Sequence, residues 1–513
     1  MKVSSALLVS VLLSFSCAPV QIDRSTSSVA QPHVPASGLP DQLDLARALQ
    51  AISGTRMLQD VARLSNPEFN GRLTGTADDR RSALWVATLF HSLGLKPAGS
   101  AALGPGNELW AQTGSVLTTQ IAETRLDITA GAKTIRPLIG KGYLPILDSP
   151  SVNLNAPIAF VGYGISDPAH NFDEYHGLDV RNRIVVFLRG KPERYPQPVT
   201  QAEKERTAKE KGALAFLTLQ GPILSGYETR RGSSSVPVAS YTFSSGDEGH
   251  IPGCWISTEV GTELVAAQGR ELRELQERLN SAMTPQSFAT EATAHLSWDS
   301  IQDRGTLFNV LGLMPADSPS TVSAAEETLV LGAHRDHFGR QAGLLFAGAD
   351  DNASGTAVMV EVARAIAASG IKLRRSILFL SFSGEEQNLL GSRLYMRDPV
   401  RAPERTIAMI NVDHAGIGSG RLTVGVTGLS KDVAIAAGKR ADVAEKVDVF
   451  GFFPGGDHVP FKEASVPTLT IVSGGIHPHY HQPSDEANTV QPDILEMVAR
   501  YVLALVWDLV TRP

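Results

Sequence analysis

Carboxylates and imidazoles recur in five short clusters over the last third of the chain. They are His334-Arg335-Asp336, Gly348-Ala349-Asp350-Asp351-Asn352, Gly384-Glu385-Glu386, Asn411-Val412-Asp413 and Tyr480-His481. Imidazole and carboxylate donors without thiolate make the donor set of a hydrolytic zinc site. Two divalent cations about 3.5–4 Å apart need one shared carboxylate, about two further ligands each and a bridging water. Two imidazoles and three carboxylates meet that count, and a further acid remains to take a proton from the water. The adjacent Glu385 and Glu386 suit such a division, one as ligand and one as base.

Each cluster follows an apolar run that reads as a strand. His334 follows Leu329 to Ala333, Glu385 follows Ile377 to Ser383, Asp413 follows Ile407 to Ile410, and Tyr480-His481 lies in a loop after Leu469 to Val472. Asp350 precedes a helix that starts near Asn352. In open α/β sheets, sites form beyond the carboxyl ends of the strands. Taken singly, the residues have plainer readings. Asp350 suits a helix N-terminus through the dipole, Glu385 and Glu386 a solvated charge pair, Asp413 a turn, and His334 a satisfied surface histidine. Their common position at strand ends argues for one site.

The elements that must hold these clusters alternate from about residue 291 onward. Strands are expected at Phe308 to Leu313, Thr328 to Ala333, Ser376 to Phe382, Thr406 to Ile410 and Pro467 to Val472, with helices at Ala353 to Ala368 and Pro492 to Val510. That pattern predicts an α/β fold, a mostly parallel sheet sandwiched by helices. Residues 41–99 read as helical, with Ala83, Val86, Ala87, Phe90 and Leu93 on one face of a helix that Gly94 ends. Between about 145 and 290 the character is β-rich: strands at Ala156 to Val161, Arg183 to Leu188 and Ala213 to Thr218, a charged helix from Ala202 to Lys211, and no cluster of ligand-type residues.

At 513 residues, two or three domains are expected, and 42% hydrophobic residues suffice for sizeable cores. The net charge of −7 comes from nearly balanced acids and bases, without the basic patch of a nucleic-acid binder or the polybasic tract of an anionic-membrane binder. Lys2 and the apolar run Ala6 to Phe15 outline a signal peptide over 1–17, too short for a permanent span. Leu13-Ser14-Phe15-Ser16-Cys17 resembles a bacterial lipoprotein cleavage site, with Ser14 where an aliphatic residue is usual. Export is therefore expected, to the periplasm or cell surface as a lipoprotein or else by secretion. A lipid anchor at Cys17 is the only membrane attachment expected. Residues 18–40, rich in Ser, Pro, Gln and Val, read as a flexible linker. Cys254 is the only other cysteine, so no disulfide framework is expected, and Cys254 reads as a buried small hydrophobe.

The motifs H-x-D, G-A-D-D-N-A-S-G, F-S-G-E-E-x-x-L-x-G-S, I-N-x-D and Y-H-x-P-S-D together resemble the co-catalytic di-zinc aminopeptidases, a family that includes bacterial leucyl aminopeptidase, glutamate carboxypeptidase II and the transferrin-receptor ectodomain. The resemblance covers 41–144 and 291–513 and implies the zinc exopeptidase fold there. The VGYGI turn, the GLDV-x-x-x-IVVFLRG stretch and the following helix and GALA strand make 145–290 resemble an inserted protease-associated domain.

The family implies two Zn2+ per chain. It implies that His334 and Asp413 bind one zinc, that Glu386 and His481 bind the other, and that Asp350 bridges both, with a cis peptide between Asp350 and Asp351. It further implies Glu385 as general base, Asp336 as the partner of the second His334 nitrogen, and Tyr480 as a donor to the tetrahedral oxyanion. Spacing to Pro483-Ser484-Asp485 selects His481 as the ligand, leaving His477 and His479 as loop or outer residues. His337 and His414 are left unassigned, and Asp457-His458 matches the family's Ser-Asp-His element with Gly456 where serine is usual. The activity implied is an exopeptidase, foremost an aminopeptidase on peptides, with dipeptidase or carboxypeptidase as the alternative on the same site. A receptor-like, non-catalytic relative would lack ligands that are all filled here. A glutaminyl cyclase uses one zinc and lacks the inserted domain.

Overall fold

The computed structural model describes residues 42–225, 228–229, 235–242, 249–317 and 327–511. The expected signal peptide, Cys17 and the 18–40 linker lie outside them. Twelve strands carry the argument: β1 (Ala111–Ala130), β2 (Val152–Phe160), β3 (Ile184–Leu188), β4 (Ala215–Leu219), β5 (Gly253–Ile256), β6 (Phe288–Met314), β7 (Thr328–His334), β8 (Ser376–Phe382), β9 (Thr406–Asp413), β10 (Arg421–Thr427), β11 (Val447–Phe450) and β12 (Thr468–Gly474). The helices are α1 (Gln42–Ala51), α2 (Gly54–Leu64), α3 (Ala77–Ser92), α4 (Gln201–Glu210), α5 (Gly355–Ser369), α6 (Leu390–Arg397), α7 (Asp432–Arg440), α8 (His458–Glu463) and α9 (Pro492–Thr511).

Strands β12, β9, β7 and β8 lie side by side and parallel. Each is buried on both sides, which explains its uninterrupted apolar sequence. Successive residues enter opposite layers. Leu329, Leu331, Ile377 and Phe379 join the core beneath α1, α2, α3, α5, α7 and α9, whereas Val330, Leu378, Leu380 and Phe382 pack with Tyr395 of α6 and Phe461 of α8. All four parallel strands therefore point their carboxyl ends at one rim. Antiparallel β10 extends the sheet beyond β12, a strand the apolar pattern did not single out.

The long β6 pairs antiparallel with β8 at one end and with β2 at the other, and β1 runs beside it. Through β6 the sheet continues into β2, β3, β4 and β5, so the segment 145–290 shares a continuous sheet with the C-terminal strands. Its helix α4 opens on a Thr200–Glu203 capping box. Cys254 is buried in β5. Among the described residues no helix is long and apolar enough to cross a membrane.

Candidate metal centre

His334 ends β7, Asp413 ends β9, and Glu385 and Glu386 follow β8 after Ser383-Gly384. The turn at Gly348 brings Asp350 and Asp351 to the same rim, and the loop after β12 adds Tyr480 and His481. Two buried arginines hold this rim. Arg72, fully buried, donates to the carbonyls of Leu64 (2.6 Å), Ala347 (2.7 Å), Gly348 (2.7 Å) and Arg335. Burial lowers its guanidinium to about 10, so it stays charged at neutral pH. Arg335, between His334 and Asp336, points away from the site and donates to Asp79 of α3 at 2.6 Å. It also donates to the carbonyls of Phe308, Ser381 and Phe382. Neither arginine carries a sequence signal for this role, because carbonyl acceptors leave no trace in residue type.

The acidic and imidazole side chains form two sets that share one carboxylate. In the first, His334 Nε2 stands 3.4 Å from Asp413 Oδ1 and 3.4 Å from Asp351 Oδ1. In the second, His481 Nε2 stands 3.1 Å from Asp351 Oδ2 and 3.3 Å from Glu386 Oε2. Asp351 thus turns one oxygen to each set. This corrects the expectation for Asp350. The Asp350 carboxylate instead accepts the Gly416 N–H at 2.8 Å on one oxygen and meets His477 Nδ1 at 2.6 Å and His414 Nδ1 at 3.4 Å with the other. Burial opposes its ionisation, but the two imidazoles outweigh that and hold its carboxyl at about 2.

The reason lies in the backbone. Asp485 accepts the N–H groups of both Asp350 (2.8 Å) and Asp351 (3.0 Å), which sets this turn and sends the two side chains apart. The cis peptide is Asp351–Asn352, one residue later than expected. Asn352 then donates to Val412 O at 2.9 Å and accepts Gly355 N–H at 2.8 Å. Gly355 is required there, since a Cβ would lie 2.4 Å from Asn352 Oδ1 and 2.5 Å from Val412 O.

The distances within the two sets suit a metal, and Asp350, His414 and His477 form a further close donor group whose shortest pair is a direct hydrogen bond. Donors about 2.0–2.1 Å from a tetrahedral zinc stand about 3.3–3.4 Å from one another. The shared-Asp351 pairs, at 3.1–3.4 Å, match that spacing. The 2.6 Å contacts of His477 with Asp350 and of His337 with Glu386 are instead direct hydrogen bonds. His337 therefore belongs to the site as the donor that restrains Glu386, a role its residue type alone did not reveal. Nε2 of His334 is buried and makes no hydrogen bond. An orphaned imidazole nitrogen facing two carboxylates fits a cation in the gap. Without a cation, burial would neutralise His481, but Glu386 and Asp351 outweigh it and lift the imidazole to about 9.

The remaining predicted residues surround these sets. Asp336 faces the other side of the His334 ring, its carbonyl 3.3 Å and its carboxylate 3.6 Å from Nδ1, and it accepts the Glu385 N–H at 3.3 Å and the Thr74 hydroxyl at 3.0 Å. Glu385 Oε2 lies 4.0 Å from His334 Nε2. Burial raises its carboxyl well above the usual range; His334 opposes this, and Glu386 and Asp413 add to it. Tyr480 stacks on His481, ring centres 3.6 Å apart, and its ring tilts against His414. His479 bonds Ser484 and takes no part.

Residues 309–506, which carry β7 to β12 and every donor above, match the profile of Peptidase family M28. The chain is 31% identical to aminopeptidase YwaD of Bacillus subtilis over 179 residues, 32% of this chain and 38% of that protein. It is 30% identical to a probable glutamate carboxypeptidase VP8 of Zea mays over 184 residues, 32% of this chain and 25% of that one. The matches thus span well under half of these two relatives' lengths. In fold, the chain is similar to the aminopeptidase from Aneurinibacillus sp. strain AM-1, with a TM-score of 0.64 at 20% identity, covering 91% of this chain and 98% of that one. It is also similar to a Peptidase M28 precursor from Shewanella amazonensis SB2B, with a TM-score of 0.65 at 18% identity and coverages of 91% and 96%. The stretch that matches the Peptidase family M28 profile, residues 309–506, is the one that carries the carboxylate shared between the two donor sets.

Proposed function

We propose that the chain is a metal-dependent exopeptidase, foremost an aminopeptidase that removes N-terminal residues from peptides, and that it holds two Zn2+ ions. His334, Asp413 and one oxygen of Asp351 would hold the first, and Glu386, His481 and the other oxygen of Asp351 the second. The observation that carries this reading is the Asp351 carboxylate, with its oxygens 3.4 Å from His334 Nε2 and 3.1 Å from His481 Nε2. The YwaD relative is named an aminopeptidase, and the similarly folded BSAP of Bacillus subtilis a zinc aminopeptidase.

Zinc bound by these residues would supply an acidified water and a Lewis acid for the scissile carbonyl. Glu385 takes the proton of the attacking water. Its Oε2 lies 4.0 Å from His334 Nε2, beside the first set, where it can accept a proton and return it. The hydrogen bond from its N–H to Asp336 keeps it beside His334. Glu385 then delivers the proton to the departing amine nitrogen. Glu386 keeps its orientation through the 2.6 Å bond from His337. Tyr480, in the same loop as His481, donates to the oxyanion. The N-terminal sequence supports export of the chain, as a lipoprotein acylated at Cys17 or as a secreted enzyme.

A carboxypeptidase or dipeptidase reading is favoured by one observation, the Zea mays relative named a glutamate carboxypeptidase. One screen separates the two. The protein is stripped with chelator, reloaded with zinc, and offered aminoacyl amides and N-blocked peptides. Zinc-dependent release from the amides alone supports the aminopeptidase. Cleavage of the N-blocked peptides alone reverses the direction, and turnover undiminished in chelator removes the metallopeptidase reading.

A further inference from the structure

The segment 145–290 carries no metal-type donor cluster, yet part of it reaches the second set. Residues 236–242 cross to the loop after β12. There the Ala239 N–H donates to the His481 carbonyl at 2.9 Å, and His481 Nδ1 meets the Ala239 carbonyl at 3.0 Å. Ala239 is fully buried. The strap is fastened to its own segment on the far side. Leu147 N–H donates to the Ser240 carbonyl at 2.9 Å, and Thr242 N–H donates to Asp148 at 2.9 Å. Two residues further along, Tyr241 packs its ring on Phe338, which in turn meets the His481 ring edge-on at 4.6 Å. The Tyr241 hydroxyl accepts from Gln387 Nε2 at 3.3 Å, next to Glu386.

We infer that Ala239 and Tyr241 are positioning residues for the second metal, so that this segment sets cation affinity at the His481–Glu386 set and not at the His334–Asp413 set. The inference rests on the two-metal reading above. An imidazole that presents Nε2 as a lone pair must carry its proton on Nδ1, and that proton needs an acceptor. The acceptor for His481 is a backbone carbonyl from about 240 residues upstream. The paired bond from Ala239 N–H steadies His481 at its left-handed backbone, φ 54°. Among the described residues, no hydrogen bond or ring contact joins the strap to His334 or Asp413. The asymmetry predicts that the two metals respond differently.

The test is stepwise zinc binding by the full-length protein against a chromophoric chelator, with cobalt absorption as a second readout. Ala239→Pro removes the N–H donor, and Tyr241→Ala removes the ring behind Phe338. Both variants loosen the carbonyl that holds His481 without deleting it, so both should bind the first ion as the unaltered protein does and the second about 10-fold more weakly, the lower end of the loss usual when an outer partner of a metal ligand is disturbed. His481→Ala marks complete loss of the second step. Thermal melting confirms that a variant is folded, and Tyr241→Ala stands in if Ala239→Pro does not fold. Wild-type affinity at both steps in folded variants overturns the inference, as does equal weakening of both steps. An unaltered protein that binds only one ion refutes the two-metal reading itself, a result distinct from either.

Discussion

The neighbouring Asp350 and Asp351 allow a sharp test, because the same substitution at each should give opposite results. In the proposed two-zinc site, Asp351→Asn removes a charged donor from both metal positions. A structural zinc held by four donors is bound with about 10–16 kcal/mol near neutral pH, or about 2.5–4 kcal/mol per donor. At about 1.4 kcal/mol per tenfold, each position should lose about 10^2- to 10^3-fold in affinity. Asp350→Asn removes no donor. Its carboxylate reaches the centre only through His414, whose Nε2 lies 3.6 Å from Asp351 Oδ2. The loss there should stay below about 10-fold. Stepwise zinc titration of both variants against a competing chelator measures the difference. If Asp350→Asn empties both positions while Asp351→Asn retains two ions, the assignment of the shared carboxylate is wrong, and so is the use of donor spacing to tell ligands from hydrogen-bond partners.

Glu385→Gln should keep both metals and lower kcat by about 10^2- to 10^4-fold, the contribution of a positioned general base; steady-state kinetics beside metal analysis checks it, and unchanged turnover removes the assignment. Asp79→Asn leaves the Arg335 guanidinium, 0% exposed, without its 2.6 Å carboxylate, and should cost about 3–5 kcal/mol in denaturant unfolding. The control Asp448→Asn breaks an exposed pair with Arg421 and should leave the unfolding midpoint almost unmoved. Glu174 is fully buried, and burial pushes its carboxyl up to about 8 although it accepts the N–H groups of Tyr163 and Ile165. A raised folded value means that its stabilising contribution is complete below the unfolded value of about 4.5 and is lost as pH climbs to about 8. Between pH 5 and 7 the stability of the unaltered protein should therefore fall relative to Glu174→Gln; parallel curves from urea titrations across that range would exclude the effect.

The parallel strands were legible because burial on both faces writes itself as an unbroken apolar run, as in Leu329 to Ala333 and Ile377 to Phe382. The long β1, and β6 ahead of Phe308, were not. The stretch Asp299 to Gly305 of β6 is mostly polar and exposed, and only pairing with β1 makes it a strand. The apolar pattern of strand β10 is broken by Gly425, where a Cβ would lie 3.0 Å from the Phe453 side chain. Helix α3 was legible from its apolar face, but the use of its Asp79 to pin Arg335 was not.

The centre divides along the same line. Which residue types are present, and that they follow strands, was determined by the sequence, because donor chemistry belongs to the side chain and the carboxyl ends of parallel strands share one rim. Which of two adjacent aspartates is shared depended on the direction each carboxylate takes. That direction is set by Asp485, more than a hundred residues away, through its hold on the Asp350 and Asp351 N–H groups. The same holds for Ala239. Its methyl side chain says nothing of metal chemistry, and its contribution is a backbone carbonyl that only the folded chain brings to His481.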